Sequence, residues 1–179
     1  NSFTVQASST IHRGMDQNYR WFRQDELVRK CIINNAYFST YGGFQTIQES
    51  TTKDENIKEK IDEINKKVNL DNVLFTAQIK RGIYGKAAFE IIRDQNGYPL
   101  KLISLDSRRI KPDIDENWNH TGFTFHGKKN FYSPEDVLFF TNMEVDSDYQ
   151  GLSDIEPILT VLEARHNILR ENMPEIARS

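Results

Sequence analysis

Residues able to do chemistry are scattered along this sequence, and their spacing decides what they can do. Gly82-Ile83-Tyr84-Gly85-Lys86 has the glycines and lysine of a phosphate loop. Such a loop needs four residues between its glycines and a Ser or Thr after the lysine, so that N–H groups cradle phosphate and the hydroxyl meets Mg²⁺. Here two residues separate the glycines, Ala87 follows Lys86, and the segment leaves a helix to begin a strand. Nucleotide binding is not expected. Asp113, Asp115 and Asn117 fall on calcium-loop positions one, three and five, but Trp118 replaces the turn glycine and Thr124 the closing glutamate. Asp146, Asp148, Gln150 and Gly151 do slightly better, yet Pro157 takes the closing position. Both read as polar loops.

The histidines His12, His120, His126 and His166 show no helical ligand spacing, and none lies near a cysteine. Ser, Asp and His are present without a nucleophile-elbow pattern. Asn119-His120-Thr121 is a glycosylation sequon by pattern only, with no secretory signal to give it meaning. Cys31 is the single cysteine, which excludes an internal disulfide and any cysteine-cluster metal site. No catalytic, cofactor-binding or metal-ligating residue is assigned.

The 179 residues suit one domain or a domain with an appended element. With 11 Phe, 7 Tyr and 2 Trp the chain holds too many aromatics for a solvated coil. Lys plus Arg is 23 against 26 Asp plus Glu, a formal net charge of −3. A dedicated nucleic-acid clamp should be basic, because affinity comes from neutralising phosphates. Arg108, Arg109 and Lys111 could touch phosphate locally, but a solvated strand end is the simpler reading. No apolar run approaches the roughly 20 residues that span a bilayer, and no signal peptide is visible. The first residue is Asn1 rather than Met, so a segment upstream is expected.

The elements that must position these residues follow from periodicity. Residues 1–20 are polar, with Ser8-Ser9-Thr10, and predict an N-terminal arm. Asp25 can cap a helix whose face carries Leu27, Val28, Cys31 and Ile32, putting Cys31 in the core; Tyr41-Gly42-Gly43 breaks it. Ile57, Ile61, Ile64 and Val68 form a narrow stripe on a charged surface helix. A helix over 71–81, apolar on two sides, should end at Gly82 and Gly85. Then the period changes to two. Residues 87–93 and 98–102 predict a hairpin closed by Asp94-Gln95-Asn96-Gly97, with Asn-Gly taking positive φ. Residues 110–114 and 122–125 predict a second pair, and 137–140 a buried strand. Ser153 with Glu156 makes a capping box, or Asp154 caps, for a last helix striped by Ile155, Leu159, Leu162, His166, Leu169 and Met173. Nothing follows to cover that stripe, and an uncovered stripe wants a partner.

The order of these motifs resembles that of phage and viral portal proteins. The first helix, Val28-Arg29-Lys30-Cys31-Ile32-Ile33-Asn34-Asn35, is similar to theirs. So are the Tyr-Gly pair and strand-turn-strand from Gly82 to Gly97, the segment Leu102-Ile103-Ser104-Leu105-Asp106, and the segment Phe131–Phe140. Gly151-Leu152-Ser153-Asp154-Ile155 resembles the family's Gly-x-Ser-Pro-Ile start of a long helix, with Asp154 where Pro often stands. An acidic first turn suits the helix dipole equally well.

The resemblance implies an α+β fold: N-terminal helices packed on antiparallel hairpins or a small mixed sheet, ending in a long stem-like helix. It divides the chain into an arm (1–20), a wing domain (21–152) and a truncated stem helix (153–179). It implies a non-enzymatic ring subunit without cofactors, of twelve copies when full length, at one capsid vertex of the virion, assembled in the host cytoplasm. Terminase, capsid and head-completion proteins would be its partners, with no membrane. Double-stranded DNA would pass without sequence-specific binding. Gly85, Gly97, Gly151, Ser153, Ile155, Leu159, Leu162, His166 and Leu169 would be its structural and oligomer-forming residues. The rival readings are a non-viral α+β scaffold, and a hydrolase using Asp146 and Asp148.

Overall fold

The computed structural model describes residues 3–47, 55–116, 119–125, 130–143 and 151–176. Four helices come first: α1 Phe3–Gln24, α2 Glu26–Thr40, α3 Glu55–Lys67 and α4 Leu70–Tyr84. Strands β1 Lys86–Arg93, β2 Pro99–Ser104, β3 Ile110–Ile114, β4 His120–Phe125, β5 Asn130–Tyr132 and β6 Val137–Thr141 follow, then helix α5 Leu159–Ile176. The strands make two three-stranded sheets, ordered β2-β1-β6 and β3-β4-β5. Each strand pairing is antiparallel, so the sheets are not mixed. The class is α+β, as expected.

Asp25 caps α2 as predicted. Its Oδ1 accepts from the Leu27 and Val28 N–H groups at 2.9 and 3.1 Å, satisfying donors that have no partner inside the helix. The buried face is Val28, Ile32 and Ala36. Leu27 and Cys31 point outward, so Cys31 is exposed and not a core residue. The face follows the packing of α4, whose Gly82 comes close: a Cβ there would sit 2.8 Å from Ile32 Cδ1. Gly82 therefore lies inside α4, as a packing residue, and does not help to end it. Gly85 alone closes α4, at φ 77°, its N–H donating to the Arg81 carbonyl at 2.8 Å.

The segment read as an arm is helical from Phe3. Met15, Asn18, Tyr19 and Phe22 recur at i, i+3, i+4 and i+7. Met15, Tyr19 and Phe22 pack with Val28, Ile83, Tyr84 and Leu162. The stripe is short and flanked by polar residues, which hid it. α1 also runs through the division drawn at 20/21.

β1 is buried on both faces. Ala87 and Phe89 face α4 at Val73 and Ala77. Ala88 faces the other way, toward Leu105, Ile110 and Phe123. Small residues at 87 and 88 let a helix and a second sheet close on one strand. In the hairpin only Gly97 takes positive φ, at 83°. Asp94 supplies the rest of the turn: its carboxylate accepts from the Asn96 and Tyr98 N–H groups, each at 2.9 Å.

Candidate functional site

Three segments distant in sequence meet where the chain turns toward α5. α4 ends with carbonyls that have no helical partner. Gly82 O accepts instead from Asp154 N–H and from the buried Ser153 hydroxyl, both at 2.9 Å. Ser153 Oγ in turn accepts from Ile155 N–H at 3.1 Å. Asn142, just past β6, ties all three segments. Its N–H donates to Gly85 O at 2.8 Å, and its carbonyl accepts from Leu152 N–H at 2.7 Å. Its Nδ2 donates to Leu152 O and Asp154 Oδ1, both at 2.9 Å. Backbones approach so closely that side chains cannot fit. A Cβ on Gly85 would lie 1.8 Å from Gly151 O, and one on Gly151 would lie 2.2 Å from Gly85 O.

This junction corrects the predicted start of the last helix. Ser153 and Glu156 form no capping box, because the Ser153 hydroxyl bonds to Gly82 and Ile155. A 3₁₀ turn, Glu156–Ile158, holding Pro157 in its first positions, comes first, and α5 begins at Leu159. The first half of the predicted stripe faces inward, while His166 and Leu169 are exposed. Ile155 is 1% and Leu162 7% exposed, with Leu159 half-buried against the same cluster. His166 meets Trp21 edge to face at 5.9 Å. Leu169 lies at the margin and is exposed, and the Met173 side chain falls outside the described residues. Gln17 Nε2 donates to Glu163 Oε1 at 2.8 Å, and Arg165 Nη1 to Asp25 Oδ2 at 3.1 Å. Asp25 thus caps α2 with one oxygen and holds α5 with the other. Ile158 in the 3₁₀ turn and Val161 and Ile168 on α5 are also exposed apolar residues, which the sequence reading missed.

A second polar cluster joins α1 to the segment after β2. Arg108 forks onto Asp106, Nε at 3.0 Å and Nη2 at 2.8 Å, while Nη1 donates to Asp16 at 2.9 Å. The guanidinium lies 5.5 Å from the Tyr19 ring centroid, and Tyr19 stacks on Tyr84 at 6.1 Å. Burial alone would raise the Asp106 pKa. Hydrogen bonds and charge from Arg108 outweigh it and hold the carboxyl below its ordinary value. The Arg108 guanidinium is held still more firmly protonated, first by its bonds to Asp106. Lys80 donates to Leu105 O, and burial lowers its pKa against the pull of Asp106. Arg108 is therefore engaged within the fold rather than displayed as part of a phosphate patch. The buried Lys86 donates to Ile110 O at 3.1 Å and is likewise no phosphate ligand.

Among the described residues, no three His, Cys, Asp or Glu gather as a metal site. The Asp115 carboxylate accepts from Asn119 N–H at 2.8 Å and Asn119 Nδ2 at 3.1 Å; Asp113 accepts from Thr124 Oγ1. Both carboxylates shape their own loop. Asp146 and Asp148 lie outside the described residues. No helix among the described residues is long and apolar enough to cross a membrane. The predicted site residues Gly85, Gly151 and Ser153 come together at the junction; Gly97 stands apart in its hairpin. The arrangement is mechanical: it fixes the direction in which α5 leaves the rest of the fold.

No protein-family model matches this chain, and no curated protein matches it in sequence. Its fold is shared with solved virus-like particles. A chain from the neck of an empty gene transfer agent particle, computed with C6 symmetry, aligns over 87% of this chain and 46% of its own, with TM-score 0.65 and 17% identity. A chain of the native gene transfer agent virion aligns over 63% and 36%, with TM-score 0.52 and 17% identity. A phage portal protein of the HK97 family from Corynebacterium diphtheriae aligns over 75% and 37% at 16% identity, with a TM-score of 0.37 that carries no weight. This chain spans less than half the length of each of these. The architecture implied by the motif order is thus found in a particle neck.

Proposed function

We propose that this chain is part of a portal-type subunit: a structural protein that forms a ring at one vertex of a virion and lets double-stranded DNA pass. The fold it shares over 87% of its length with a particle-neck subunit carries this reading. Two further features support it. The junction at Gly85, Asn142 and Gly151 holds α5 rigidly, as a helix transmitting contact around a ring requires. The net charge of −3 suits a conduit, since a strongly basic wall would retain DNA through counterion release. In this reading Ile155, Leu159, Leu162 and His166 hold α5 on its own subunit, and Leu169 lies at the edge of a contact with the next. Twelve copies, a terminase motor docked on the ring and contacts with capsid and head-completion proteins belong to the same proposal.

Negative-stain microscopy of the full-length protein tests it. Rings with a central hole are expected. Compact monomers at high concentration would favour the non-viral scaffold instead. Tight, salt-sensitive retention of duplex DNA by the rings at low salt would contradict the conduit.

A further inference from the structure

Asn96-Gly97 is the only Asn-Gly pair in the sequence, and it closes the β1–β2 hairpin. Asparagine is a chemically labile residue, and a following glycine makes it more so, because a residue without Cβ lets its own backbone nitrogen reach back. The Gly97 nitrogen gives up its proton and attacks Asn96 Cγ. The bond from Cγ to the side-chain nitrogen breaks, ammonia leaves with that proton, and a cyclic succinimide remains. Water then opens the ring at either carbonyl, leaving aspartate or isoaspartate. In sum, amide and water give carboxylic acid and ammonia, and nothing is oxidised or reduced. The hairpin sets this pair at its tip. Asn96 and Gly97 are both exposed, and a Cβ on Gly97 would meet nothing within 4 Å, so water has free approach.

The same turn restrains the attacking nitrogen. Gly97 N–H donates to Asp94 O at 3.0 Å, and Asp94 N–H donates to Tyr98 O at 2.8 Å. Asp94 Oδ1 accepts from the Asn96 and Tyr98 N–H groups, each at 2.9 Å. Attack requires the Gly97 nitrogen freed from its carbonyl and the Asn96 backbone turned, so these bonds must open first. We propose that Asn96 is a site of spontaneous deamidation, and that the turn built by Asp94 guards it in the folded chain. Conversion puts a new carboxylate beside that of Asp94. Isoaspartate also adds a backbone carbon inside the turn that sets the β1–β2 register. Arg93 donates to Gly97 O at 3.1 Å and to Glu135 O at 2.7 Å, so a lengthened turn also disturbs the tie between the hairpin and the segment before β6.

The test is to age the full-length protein in mildly alkaline buffer and map its peptides by mass spectrometry, with aspartate and isoaspartate forms separated. In denaturant, Asn96 should convert ahead of every other asparagine of this sequence. In the folded wild type it should convert more slowly by roughly tenfold or more, the weight of a hydrogen bond or two. Asp94→Ala, shown to be folded by circular dichroism, removes the side-chain acceptor and should speed conversion by roughly tenfold. Asp94→Asn keeps an oxygen acceptor and should stay close to the wild type. No preference for Asn96 in denaturant would overturn the site. A folded wild type that converts as fast as the denatured chain would overturn the guard. Asp94→Ala no faster than Asp94→Asn would remove the part given to the Asp94 side chain. Should Asp94→Ala fail to fold, the comparison of folded with denatured wild type still decides.

Discussion

Gly85→Ala separates two effects that a glycine can serve. Gly97 provides the control, since it too has positive φ, 83° against 77°, but a Cβ there meets nothing within 4 Å. Gly97→Ala should therefore cost only the left-handed backbone, about 1–2 kcal/mol. At Gly85 the added carbon would also lie 1.8 Å from Gly151 O and 2.5 Å from Gly151 C. Gly151 cannot simply retreat, because it is wedged against both Gly85 O and Asn142. The junction must open, weakening the bonds from Asn142 N to Gly85 O and from Leu152 N to Asn142 O. Each such bond contributes about 1 kcal/mol, and a donor left buried without a partner costs about 1–3 kcal/mol. Gly85→Ala should thus cost about 3–5 kcal/mol in all. For a chain of this size one kcal/mol moves the melting temperature by roughly 2–4 °C, so Gly85→Ala should melt on the order of 10 °C below Gly97→Ala. Thermal melts followed by far-UV circular dichroism, at one concentration and pH, read the difference directly. If the two variants melt together, the close approach of Gly85 and Gly151 is not what holds the junction.

Three further outcomes are expected. Ser153→Ala removes the hydroxyl that donates to Gly82 O and accepts from Ile155 N; guanidinium unfolding should show a loss of about 1–3 kcal/mol. Arg108→Met leaves Asp106 without its fork, costing about 1–2 kcal/mol at neutral pH, a figure kept low because Arg108 and Asp16 are partly exposed. Because the folded Asp106 pKa lies below its unfolded value, the wild type should hold this stability above about pH 4 and lose it as pH falls through the lowered folded value. The variant should show less of that acid slope in melts taken from pH 6 to pH 2. Burial raises the Tyr84 phenol from 10.0 to about 12. Between those values the unfolded phenol ionises and the folded one does not, so stability should fall across that window. Ultraviolet titration should show a late tyrosinate step that Tyr84→Phe removes.

What the sequence made legible was local. Asp25 as a cap, Gly85 as the end of α4, the hairpin at Gly97 and the buried β1 each follow from a few adjacent residues obeying backbone sterics. What it hid was set by contacts across the chain. Asn142 gives no sign of its role, because its four bonds go to Gly85, Leu152 and Asp154, segments that only the folded chain brings together. Gly82 looked like a helix end because nothing local says that Ile32 will press against it. Cys31 was misplaced in the core for the same reason: which side of α2 is buried depends on where α4 lies. α5 shows the consequence most clearly. Read alone, its stripe from Ile155 to Leu169 looked uncovered, and an uncovered stripe asks for a partner. The folded chain covers the first half of that stripe, Ile155, Leu159 and Leu162, with α1 and α4, through Trp21, Ile83 and Tyr84. Around the helix from it, Val161 and Ile168 stay exposed among the described residues. Among the described residues, α5 is buried on one side only. The inward stripe fixes the start of the helix on the rest of its own fold.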